Sequence, residues 1–62
     1  MKITELKIGE PSQRALALFG IVHLEDCSRY TKNELLALHG VGSKAIRIIE
    51  ENLNQLNLSY KK

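Results

Sequence analysis

Gly40-Val41-Gly42 constrains this chain more than any other feature. It joins two segments that read as helices. On one side Leu35 and Leu38 lie three residues, or one helical turn, apart. On the other, Ala45, Ile48, Ile49, Asn52, Leu53 and Leu56 recur at three- and four-residue steps and form one stripe. Two glycines around a single hydrophobic residue make a turn too tight for a Cβ at both ends. Both are expected in φ/ψ values that other residues avoid. Val41 is expected to point inward and plug the gap between the helices. Ala45, three positions after the second glycine, is small enough to let the second helix approach the first.

Length sets the next bound. A chain of 62 residues is one small domain that buries only about 60% of its unfolded surface. Such a core has no room for a deep active site. Hydrophobic residues at 44% and charged residues at 26% are the proportions of a folded globular domain, not of a disordered tail. The net charge of +2 admits a polyanion partner without demanding one. Cys27 is the single cysteine, so no disulfide closes within the chain. With only His23 and His39 beside it, no tetrahedral zinc set is expected. Neither histidine has a Ser, Cys or carboxylate in a nucleophile–base–orienter pattern, and no carboxylates stand at metal-binding spacing. The chain therefore reads as no enzyme, with no cofactor and no small-molecule substrate. No apolar run approaches the roughly 20 residues that cross a bilayer, and residues 1–10 lack a signal peptide's apolar centre. No membrane partner is expected, and the cytoplasm is the simplest compartment.

Along the chain, residues 1–10 alternate Ile3, Leu6 and Ile8 with charged residues and read as an extended arm. A first helix is expected near Ser12, because Pro11 suits a helix start. Ala15, Leu16, Leu18 and Phe19 supply its apolar positions, and Gly20 stops it. A short second helix is expected over Leu24–Arg29, with Cys27 as its buried face. Thr31 and Glu34 have capping-box spacing and open a third helix over residues 32–38, stopped by Gly40. A fourth runs over Ser43–Gln55, where Arg47 and Glu51 form an i, i+4 pair. Residues 57–62 are a short tail anchored by Leu58 and Tyr60. The expectation is a four- to five-helix all-α domain.

The hairpin also carries chemistry. The amides of Gly42, Ser43 and Lys44 fall among the unpaired donors at the start of the fourth helix. That end carries about half a positive charge from the macrodipole. Donors and dipole together favour an anion. Lys44 adds a full charge and Ser43 a hydroxyl, while Gly40 and Gly42 leave the backbone bare for a phosphate. The same turn also occurs as a plain αα-corner in which the glycines serve geometry alone. Val41, Ala45 and Lys44 favour the phosphate reading.

Residues 35–53 resemble the helix-hairpin-helix motif of DNA-repair and polymerase-associated proteins. More widely, residues 16–58 resemble the C-terminal domain of the bacterial RNA polymerase alpha subunit. The shared order is arm, helix, short helix, Thr-capped helix with Glu34-Leu35-Leu36, glycine hairpin, long helix and the Leu58-Ser59 tail. The resemblance implies a DNA-binding, transcription-related module containing a helix-hairpin-helix. It implies contact with the backbone and the A·T-rich minor groove, and with transcription proteins. It places the DNA-contacting hairpin on Gly40, Val41, Gly42, Ser43, Lys44 and Ala45, with Gly42 and Lys44 matching the family pattern. Ala45 stands where a serine is usual. Pro11 stands where the family has its minor-groove arginine, and Arg14, one turn on, is the residue available for that role. At 62 residues the chain has the length of one domain, excised or stand-alone.

Other residues carry two readings. Arg14 is a solvated helix residue or a phosphate contact. Arg47 pairs with Glu51 or reaches DNA. Arg29 and Lys32 flank the third helix and can touch a neighbouring phosphate. His39 suits a helix C-terminus, and His23 the surface. A rival to DNA binding is a protein-docking module of the same fold, presenting Phe19, Val22 and Tyr30.

Overall fold

A computed structural model describes all residues, 1–62, of the chain. Its regular structure is all helical, with no β-strand. Helix α1 spans Glu10–Leu18, α2 Lys32–Leu36 and α3 Ser43–Gln55, and two 3-10 segments cover Ile3–Glu5 and Leu24–Arg29.

Helix α1 begins at Glu10, ahead of the expected Ser12. Gly9, at φ 89°, redirects the chain into the helix. Pro11 then sits in the first turn, where its missing N–H costs nothing. The helix ends at Leu18, and Gly20 takes φ 95° just beyond it. Of its apolar positions only Leu16 is fully buried. Leu18, expected in the core, is 85% exposed. Phe19 is also exposed, but meets Tyr30 edge-on with ring centroids 5.1 Å apart.

Residues 2–6 contain the 3-10 turn, entered and left by extended backbone at Lys2 and Leu6. Ile3 and Leu6 are buried. Two main-chain bonds moor this segment, Ile3 N–H to Val22 at 2.9 Å and Leu24 N–H to Met1 at 2.8 Å. The Gln13 amide donates to the Leu6 carbonyl at 2.9 Å.

The Leu24–Arg29 segment has the expected bounds but winds as a 3-10 helix, with Leu24 and Cys27 buried. The α2 capping box is complete. Glu34 N–H donates to Thr31 Oγ1 at 3.1 Å, and Thr31 N–H donates to Glu34 Oε1 at 2.9 Å. Helix α2 stops at Leu36, short of the expected Leu38, because the chain tightens: Leu38 N–H bonds back three residues to Leu35.

Helix α3 has the expected bounds and packs against Leu24–Arg29 and α2. Its buried face is Ala45, Ile46, Ile49 and Leu53, rotated from the expected stripe. Ile48 is only partly buried, and Leu56 lies beyond the helix end and is exposed. The tail covers the Ile46 side, where the buried Tyr60 hydroxyl donates to the Ile46 carbonyl at 2.8 Å. Lys61 N–H donates to the Tyr30 carbonyl at 2.9 Å. The core draws on every segment: Ile3, Leu16, Leu24, Leu35, Val41, Ile49 and Tyr60 belong to one cluster.

Candidate nucleic-acid interface

Residues 37–42 connect α2 to α3. Val41 is buried and its N–H donates to the Leu38 carbonyl at 3.1 Å, so it fills the space between the helices as expected. Ala45 is buried in the first turn of α3.

The two glycines divide the work that the sequence assigned to both. Gly40 lies at φ 99°, which side chains rarely adopt, and a Cβ there would stand 3.1 Å from the Pro11 carbonyl oxygen and 3.5 Å from the Ala15 Cβ. Its bare side therefore faces α1 and not solvent. Gly42, at φ −98°, has ordinary extended backbone, which corrects the expectation of an unusual conformation there. A Cβ at Gly42 would meet nothing within 4 Å. Its bare side is open to an approaching group.

Gly42 is the N-cap of α3, and no side chain caps this end. The amides of Gly42, Ser43, Lys44 and Ala45 donate to no carbonyl or side chain of the protein. The first backbone bond of the helix is Ile46 N–H to Gly42 at 3.1 Å. Gly42, Ser43 and Lys44 are exposed. Three open donors thus meet the positive end of a 13-residue helix. Lys44, the second helical residue, makes no ion pair.

Arg47, Arg14 and Lys32 are engaged. Arg47 Nε lies 3.3 Å from Glu51 Oε1. Lys44, Arg47 and Glu51 share one face of α3, since steps of three and four residues return to nearly the same angle. Arg14 is ion-paired with Glu10 on α1. Lys32 pairs with Glu50 at 3.2 Å and lies over the Tyr60 ring. Arg29 is exposed, and His39 is exposed beside Gly40.

Sequence reasoning missed the support beneath the hairpin. The Ser12 hydroxyl donates to the Gly40 carbonyl at 3.0 Å. Ser12 and Ala15 present a small-residue face of α1 to Gly40. Small residues three apart on α1 were the available signal. Beside this contact a cleft of about 510 Å³ opens, lined by Glu10, Pro11, Arg14, Leu18, His39 and Gly40. The start of α1 and the hairpin are therefore neighbours, and Arg14 belongs to the same side of the molecule as the turn.

No group of His, Cys, Asp and Glu is arranged to hold a metal ion, and no helix is long and apolar enough to cross a membrane. Compared with known proteins, the chain matches no family model and no curated protein.

Proposed function

We propose that residues 35–53 act as a helix-hairpin-helix, with residues 1–9 as the arm packed on α1 and residues 22–24, and that the domain grips the phosphate backbone of duplex DNA. The observation that carries this reading is the row of unengaged amides in the exposed residues Gly42, Ser43 and Lys44 beside the side-chain-free face of Gly42. A phosphate oxygen seated there accepts main-chain hydrogen bonds at a helix N-terminus and meets Lys44. Arg14 and Arg47 supply flanking charge, and Val41 and Ala45 hold the turn in shape. The likeness to the polymerase alpha C-terminal domain extends the proposal to the A·T-rich minor groove and to transcription. Pro11 in place of the family's arginine weakens base selectivity and leaves backbone binding intact.

Titration of a labelled A·T-rich duplex tests the proposal. Three neutralised phosphates give a log–log salt slope of about −2.7, a loss of about 40-fold between 50 and 200 mM salt. The dissociation constant is expected at about 10⁻⁴–10⁻⁶ M. Lys44→Glu should abolish the signal without lowering the thermal melt, because Lys44 makes no ion pair within the fold and an acidic residue suits a helix N-terminus. Equal affinity for the two proteins would refute the reading.

One observation favours a second reading. Leu18, Phe19 and Val22 are large apolar residues left exposed, as in a protein-docking module of the same fold that binds no DNA. Amide shifts on adding duplex separate the two, since DNA binding moves residues 40–45 and docking alone moves none.

A further inference from the structure

The cations around the hairpin differ in one respect. Lys44, at the turn, has no carboxylate partner, whereas Arg14 and Arg47, on either side of it, are each held by a glutamate one helical turn away. Both pairs are solvent-exposed, with side chains 70% and 76% exposed for Arg14 and Glu10 and 82% and 62% for Arg47 and Glu51. Nothing else ties either arginine down: neither makes another hydrogen bond. A carboxylate and a phosphate make the same charge-assisted contact with a guanidinium, so a phosphate that takes Arg14 Nη2 or Arg47 Nε displaces the glutamate held there, and one that binds the remaining N–H groups meets an arginine whose charge is already partly neutralised.

We infer that Glu10 and Glu51 are intramolecular competitors of DNA phosphate for Arg14 and Arg47, and that they hold the domain's affinity below what its cations would support. This inference rests on the DNA-binding reading. It makes Glu10 and Glu51 regulatory residues of the same surface, although neither touches DNA itself. Exposed i, i+4 pairs of this kind are weak, so each displacement lowers affinity by about twofold. The effect of Glu10 is the larger, because a glutamate on the N-terminal side of its basic partner is the better-oriented arrangement. Lys44 is the first cation available to DNA, and the two arginines follow.

Duplex titrations of the wild-type chain, Glu10→Gln, Glu51→Gln and their double variant test this. The double variant is expected to bind about fourfold more tightly, the product of two twofold gains. Removing negative charge strengthens polyanion binding in any case, so a second comparison isolates the competition. Glu10→Gln is also measured in an Arg14→Gln background, where no arginine remains to be freed. Competition predicts a gain with Arg14 present and a much smaller one without it. Equal gains in both backgrounds, or wild-type binding that Glu10→Gln leaves unchanged, overturn the inference and leave the DNA-binding reading standing. If neither the wild-type chain nor the double variant binds duplex, both fall together. Thermal melts of each variant within a few degrees of wild type establish that the fold is retained.

Discussion

The Ser12 hydroxyl donates to the Gly40 carbonyl at 3.0 Å, across 28 positions of sequence. This hydrogen bond joins the first turn of α1 to the hairpin and fixes the height at which the turn sits on the domain. Ser12→Ala removes it without leaving a hole. The expected cost is about 1 kcal/mol, or a fall of about 4–8 °C in Tm for a domain of this size. A calorimetric melt checks it, and an unchanged Tm would show that the hairpin is held by packing alone.

The two glycines should respond oppositely to alanine. Gly40→Ala forces a Cβ into a left-handed backbone and against the Pro11 carbonyl oxygen, at a cost of about 1–3 kcal/mol. At Gly42 the backbone is ordinary and the space empty. There the stiffer unfolded chain and the poorer N-cap offset one another, leaving stability within about 0.5 kcal/mol of wild type. Urea denaturation of both variants checks the contrast. Similar losses at the two positions would contradict the division of roles.

Tyr60→Phe keeps the ring in the core and deletes the hydrogen bond to the Ile46 carbonyl. A loss of about 1 kcal/mol is expected, with faster hydrogen exchange at the Lys61 amide, which the same tail segment holds on Tyr30. Exchange at Lys61 that does not change would mean that the tail is secured elsewhere.

Cys27 gives the domain an alkaline limit. Burial, reinforced by the nearby Asp26 charge, pushes its thiol from an ordinary 9.0 up to about 11. Over that interval the unfolded chain loses the proton and the folded chain keeps it. Stability is therefore complete below pH 9 and falls as pH rises toward 11, by about 1.4 kcal/mol per unit. Tyr60, whose hydroxyl is also raised by burial, adds to the loss only above its ordinary value of 10.0. Chemical denaturation between pH 9 and 10 isolates the thiol. Cys27→Ala should be less stable at neutral pH and should flatten the slope in that window. An unaltered slope would remove Cys27 as its origin.

Local signals in the sequence carried well wherever one residue type had one job. Thr31 and Glu34 announced their reciprocal cap, Ser43–Gln55 its length, and Val41 and Cys27 their burial. Tertiary contacts decided the remainder. Ile46 and Ile48 flank the same helical stripe, and it is the packing of other elements around α3 that leaves Ile46 buried and Ile48 only partly so. Leu18 has the composition of a core residue, but the fold leaves it 85% exposed at the edge of the cleft beside the hairpin. At the candidate site the free amides followed from helix geometry. The orientation of Gly40 toward α1 did not, because it depends on where Ser12 and Ala15 come to rest.

Both ends of the chain are fastened to one short stretch. Met1 and Ile3 bond to Leu24 and Val22, and Lys61 bonds to Tyr30. A pull applied through tethers on the two sides would therefore load residues 22–30 first. Once the Lys61 bond parts, the load passes to α3 through the Tyr60 hydroxyl on Ile46 and the Leu58 amide on Leu53.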